Sequence, residues 1–121
     1  MVSPSCPALL IHEDDAFRKS LIATLDQKHF AVTMADDDAA AIAAMKARPF
    51  HVILVAVNLA GGKGLTVLEH LRGKEASNPR VIILGDPNPE LRKYVKFADE
   101  TLLKPVDPNY VAERARTYCR H

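Results

Sequence analysis

Two apolar patterns alternate along the chain. Short runs of strand length fall at Ala8–Ile11, Ala31–Met34, Val52–Val57, Val81–Leu84 and Thr101–Leu103. Three of these, Ala8–Ile11, Val52–Val57 and Val81–Leu84, are nearly all apolar. A strand covered on both faces reads that way because neither side meets water, and such strands belong to parallel sheets. Between the runs, apolar residues recur at helical spacing. Phe17, Leu21, Ile22 and Leu25 predict a first helix, with Asp14 or Asp15 as its N-cap. Asp36-Asp37-Asp38 leads into the alanine-rich Ala39–Ala47, and acids suit the positive end of a helix. Leu65, Leu68 and Leu71 predict a third helix closing near Gly73. Pro89 opens a fourth, with Leu91, Tyr94, Val95 and Ala98 inward. Asp107-Pro108 is a cap followed by a first-turn proline, and Val111, Ala112, Ala115 and Cys119 then face the core.

Strand and helix thus alternate five times. Parallel strands need crossovers of about a dozen residues or more, and the spacing supplies them. The expected fold class is α/β, a three-layer sandwich with a central parallel sheet. The 121 residues fit one domain, expected over residues 8–118, with tails at 1–7 and 119–121.

Composition narrows the function classes. Hydrophobic residues make up 48% and charged residues 26%, which is globular rather than disordered. A net charge of +1 supplies no field that would draw the protein to nucleic acid or an anionic membrane. No apolar run reaches the roughly 20 residues of a spanning helix, and the first residues lack signal-peptide character, so the expected location is cytoplasmic. Cys6 and Cys119 do not have metal-ligand spacing. They are expected at the pole opposite the strand ends, near one another but reduced, as in a reducing compartment. His12, His29, His51, His70 and His121 are scattered, with no i, i+4 pair to hold zinc. Gly61-Gly62-Lys63-Gly64 lacks the spacings of nucleotide-binding loops and reads as a turn into the third helix.

In open α/β sheets, sites form beyond the carboxyl ends of the strands. That rule selects His12-Glu13-Asp14, Ala56-Val57-Asn58, Gly85-Asp86 and Lys104-Pro105. At these positions the sequence resembles the receiver domain of two-component response regulators. Leu9–Arg18 is similar to that family's first strand, acidic turn and helix start. Val52–Leu65 is similar to its third strand and following loop, and Leu102–Pro108 to its fifth strand and Lys-Pro turn. The resemblance implies a flavodoxin-like (βα)5 fold with strand order 2-1-3-4-5.

The resemblance also implies a chemistry. An aspartate ending the third strand accepts a phosphoryl group from a histidine kinase. Two acids after the first strand help hold Mg²⁺, while a Thr or Ser and a Lys bind the phosphoryl oxygens. Here the acceptor position carries Ala56, whose methyl group has no lone pair to attack phosphorus. The acid positions carry His12 and Glu13, and imidazole is a poor ligand for Mg²⁺. Gly85 stands at the hydroxyl position and Thr101 at the aromatic switch position; Lys104 is retained. Four departures together point to natural degeneracy rather than a single replacement at Ala56.

The expected function is therefore a pseudo-receiver in a two-component or phosphorelay pathway: not an enzyme, without a cofactor, and with Mg²⁺ binding weak or absent. Its vestigial pocket comprises His12, Glu13, Ala56, Asn58, Gly85, Asp86 and Lys104. It acts by docking a histidine kinase, another regulator or a second copy of itself. The expected docking face carries Arg92, Lys93, Tyr94, Lys96, Thr101 and Arg114, with Glu113 and Arg116 beside them. The span from Gly85 to Lys104 is about one helical turn short for the family, so the fourth helix is expected to be truncated. Two buried-charge arguments complete the pocket. Lys104 should pair with Glu13 or Asp86, because an unpaired buried ammonium is costly. His12 should bond to Glu13 or Asp86, or else act as a pH-sensitive element. The alternatives are phosphorylation at Glu13, Asp14 or Asp86, or a flavodoxin-like ligand-binding domain.

Overall fold

A computed structural model describes residues 6–12, 16–56, 69, 80–85, 98–103 and 106–119. Five strands form one parallel sheet: β1 (Cys6–His12), β2 (Phe30–Ala35), β3 (Val52–Ala56), β4 (Arg80–Gly85) and β5 (Glu100–Leu103). Their spatial order is β2-β1-β3-β4-β5, as the resemblance implied. Three helices are described: α1 (Ala16–Gln27), α2 (Asp38–Ala47) and α3 (Pro108–Arg116). The expected third and fourth helices, the Gly61–Gly64 turn and the N-cap at Asp14 or Asp15 lie outside the described residues, Ala98 and the helical Glu69 excepted.

The apolar runs become strands because both sheet faces are covered. On one face Ala8, Leu10, Val52, Leu54, Ile82, Leu84 and Leu102 pack against Leu21 and Leu25 of α1 and Val111, Ala112 and Ala115 of α3. On the other, Leu9, Ile11, Ile53, Val55, Val81 and Ile83 pack with Ala41 of α2, Phe50 and the half-buried Ala98. Alternate residues of one strand therefore serve opposite cores, which is why those runs contain almost no polar position.

Local chemistry sets the element ends. Asp37 caps α2, its carboxylate accepting from the Ala40 N–H at 2.8 Å. Asp107 caps α3 by accepting from the Asn109 N–H at 2.9 Å, with Pro108 in the first turn. After α1 the chain reverses at His29, whose φ of 68° lies in the left-handed region that glycine usually fills. The reversal directs the His29 carbonyl at the Cys6 N–H (3.0 Å) and starts β1. Asp99 ties β4 to β5: its carboxylate accepts from the Val81 N–H at 2.8 Å and pairs with Arg80 at 3.1 Å.

Two expectations are corrected. Cys6 and Pro7, assigned to a tail, belong to β1, because Cys6 pairs in register with Phe30 two residues ahead of the apolar run. The cysteines, expected as separate thiols, form a disulfide with Cα atoms 5.7 Å apart. Their placement at one pole was legible, since helices return antiparallel to the strands. The turn after α3 then carries Cys119, expected in the other tail, into bonding distance of the β1 start.

Candidate functional site

β1 ends on His12, β3 on Ala56, β4 on Gly85 and β5 on Leu103. Register makes this a common rim: His12 is the partner of Ala56, and Gly85 of Leu103. The strand order sets β1, β3, β4 and β5 side by side, so the four ends line one mouth. The sequence placed its candidate pocket there, and the structure brings His12, Ala56 and Gly85 to it. Glu13, Asn58, Asp86 and Lys104 lie outside the described residues, and with them the expected ion pairs of Lys104 and His12.

His12 is 1% exposed and is the one polar residue in the described core. Its parity with Ala8 and Leu10 turns it toward α1, where the Phe17 ring stands 5.6 Å away between centroids. A buried imidazole beside an aromatic ring of α1 thus ends β1. The described strand ends supply that imidazole, a methyl group and a glycine, and no carboxylate oxygen. Mg²⁺ takes oxygen ligands in near-octahedral geometry, and neither an imidazole nor a methyl group is one. Among the described residues, no group of three or more His, Cys, Asp or Glu is placed to hold a metal.

Near this mouth, Arg18 in the first turn of α1 pairs with Asp36, beyond the end of β2, at 2.6 Å. Spacing along the chain carried no sign of this pair.

Of the expected docking face, Thr101 and Arg114 are described; Arg92, Lys93, Tyr94 and Lys96 lie outside the described residues. Thr101 is half-buried on β5, next to Leu102, whose side chain faces α3. Arg114 is not an unengaged cation awaiting an acidic partner. Its Nε donates to Glu100 Oε2 at 2.6 Å and its Nη2 to Oε1 at 2.7 Å. The Tyr118 hydroxyl donates to Oε1 at 2.8 Å. This cluster locks the edge strand β5 to α3.

The Arg114 hydrogen bonds hold the Glu100 carboxyl below its ordinary pKa, against burial, which pushes it up. The Tyr118 phenol is pushed up by burial and then by its bond to Glu100. A lowered carboxyl contributes stability above its unfolded pKa and loses it as pH falls through the folded one. Glu100→Gln should therefore unfold at a lower temperature than the parent at pH 7. The difference should shrink as pH drops below about 4, near the unfolded carboxylate value. Thermal melts from pH 7 to pH 3 check this, and a pH-independent gap would contradict it.

Comparison with known proteins agrees with the geometry. The response regulator receiver domain model matches residues 8–116. The acid tolerance regulatory protein ActR of Rhizobium meliloti is 30% identical over 88 residues, covering 73% of this chain and 45% of that protein. The transcriptional activator protein PfeR of Pseudomonas aeruginosa is 31% identical over 104 residues, 84% of this chain and 34% of that one. The chain thus spans a third to a half of the length of these curated relatives. Among solved structures, the Vibrio cholerae chemotaxis protein CheY4 superposes with TM-score 0.79 at 20% identity, over 94% of this chain and 98% of that one. The receiver domain of the sensor histidine kinase PA1611 from Pseudomonas aeruginosa, solved with magnesium in its active-site cleft, gives 0.81 at 17% identity, over 94% and 97%. These likenesses carry the fold, and the family match with the strand-end rim carries the membership: this chain belongs to the response regulator receiver domain family.

Proposed function

We propose that this receiver signals by docking a protein partner, without aspartyl phosphorylation, catalysis or a cofactor. The observation that carries the reading is the end of β3: Ala56 closes the strand in register with His12. Phosphoryl transfer requires a nucleophile, and a metal or cation to neutralise the growing charge. Alanine and a histidine packed on Phe17 provide neither a nucleophilic oxygen nor a Mg²⁺ ligand of the preferred kind. The partner is a histidine kinase, another regulator or a second copy of the domain, working in the cytoplasm, with neither nucleic acid nor membrane as its target. One observation supports docking: Leu103 on β5 and Tyr110 on α3 are exposed large side chains. No helix among the described residues is long and apolar enough to cross a membrane.

The test is incubation of the full chain with acetyl phosphate and Mg²⁺, followed by intact mass measurement. An unchanged mass is expected. A phosphoryl adduct, whether on Glu13, Asp14 or Asp86, would overturn the reading.

A further inference from the structure

The pole opposite the mouth holds chemistry that docking does not use. Cys6 and Cys119 are bonded there, joining the first residue of β1 to the turn after α3. The His51 Nδ1 lies 3.9 Å from Cys6 Sγ. The backbone fixes that ring at the sulfur. The His51 N–H donates to the Pro7 carbonyl at 2.9 Å, and the His51 carbonyl accepts from the Arg80 N–H at 3.0 Å. These bonds place His51 between the starts of β1 and β4, immediately before β3.

The two cysteines differ in exposure. Cys6 is 4% exposed, whereas Cys119 is half-buried. Each also has an acceptor for the thiol it would become. The Cys6 thiol has the His51 ring nitrogen, and the Cys119 sulfur lies 3.7 Å from the Ala115 carbonyl oxygen. Reduction would therefore leave each thiol beside a group able to accept its S–H.

We propose that Cys6 and Cys119 form a reversible thiol–disulfide site served by His51, with a cellular dithiol as its reductant. This goes beyond the docking reading and does not depend on it. A thiolate of the dithiol attacks Cys119 Sγ, on the more exposed of the two residues. A mixed disulfide forms, the Cys6–Cys119 bond breaks, and its electron pair leaves on Cys6 Sγ. An imidazolium at His51 donates its Nδ1 proton to that sulfur and then accepts the resulting S–H. The second thiol of the reductant, as its thiolate, attacks the reductant's own sulfur in the mixed disulfide and releases Cys119, which takes a proton from solvent. Two electrons pass: the dithiol is oxidised to a disulfide, and Cys6 and Cys119 are reduced to thiols.

The experiment uses the full oxidised chain without denaturant. Dithiothreitol is added, free thiols are alkylated at timed intervals, and intact mass counts them. The expected result is two alkylated cysteines on a chain whose circular dichroism stays folded, with the disulfide restored by oxidised glutathione. A monothiol pulse quenched in acid should leave its adduct on Cys119, and His51→Ala should slow reduction by roughly tenfold or more. A disulfide that yields only in denaturant, a reduced chain that unfolds, or an adduct on Cys6 would overturn the proposal. So would an unchanged rate in folded His51→Ala; should that variant not fold, the adduct position on the parent chain decides.

Discussion

Leu54→Ala should destabilise the domain by about 2–5 kcal/mol and lower its thermal midpoint by roughly 10–20 °C. Leu54 is fully buried on β3, the middle strand of the sheet. Its neighbours in register are Leu10 on β1 and Ile82 on β4, both fully buried. Truncation removes apolar contacts and leaves a cavity that strands bonded on both sides cannot close. The matched control is Met34→Ala on the edge strand β2. Met34 is 51% exposed, so its loss should stay within about 0.5 kcal/mol. Denaturant melts of the two variants separate the cases. Equal midpoints would mean that the middle of the sheet is not the load-carrying core described here.

Loss of the disulfide should have the second largest effect. Cys6 and Cys119 are 113 residues apart, so the bond restrains nearly the whole chain in its unfolded state. Long loops give the larger stabilisations, and about 2–4 kcal/mol is the typical range. Cys119→Ser and the reduced parent chain should show the same drop in unfolding free energy. Both should stay folded, since domains of this size usually have about 5–15 kcal/mol in reserve. Denaturant melts with and without dithiothreitol check this. A parent chain indifferent to reductant would contradict it.

The scaffold was legible because burial on both faces leaves a mark on composition. Val52–Val55 and Val81–Leu84 are buried on both faces of the sheet and have nowhere to place a polar side chain, so strand, parallel sheet and layer order follow from residue type. The cap at Asp107 was readable for a similar reason: a short acid just ahead of a first-turn proline has one main local role. The triplet Asp36-Asp37-Asp38 marked the start of α2 without singling out Asp37 as its cap. The rim was readable because strand ends converge whatever the loops do, which put His12, Ala56 and Gly85 together.

What escaped were pairings between residues distant in sequence. Glu100 opens a strand of four residues, and nothing near it announces Arg114 and Tyr118, which reach it across the packing of α3 on β5. Arg114 looked like a free surface cation because its partner lies fourteen positions away. The disulfide was missed for another reason. A compartment prior argued for thiols, while the geometry that decides, the turn after α3 meeting the start of β1, exists only in the fold. His51 gave no signal at all, because its significance is its distance from one sulfur.

The central claim is that the mouth has lost phosphoryl chemistry as a set and not at one position. Restoring the nucleophile alone tests it most directly. The variant Ala56→Asp, treated with acetyl phosphate and Mg²⁺ and followed by intact mass over time, should gain little or no phosphoryl group, because His12 and Gly85 still stand where an acid and a hydroxyl are needed. Rapid, Mg²⁺-dependent labelling of that variant would contradict the account, since it would mean a complete pocket silenced by a single methyl group.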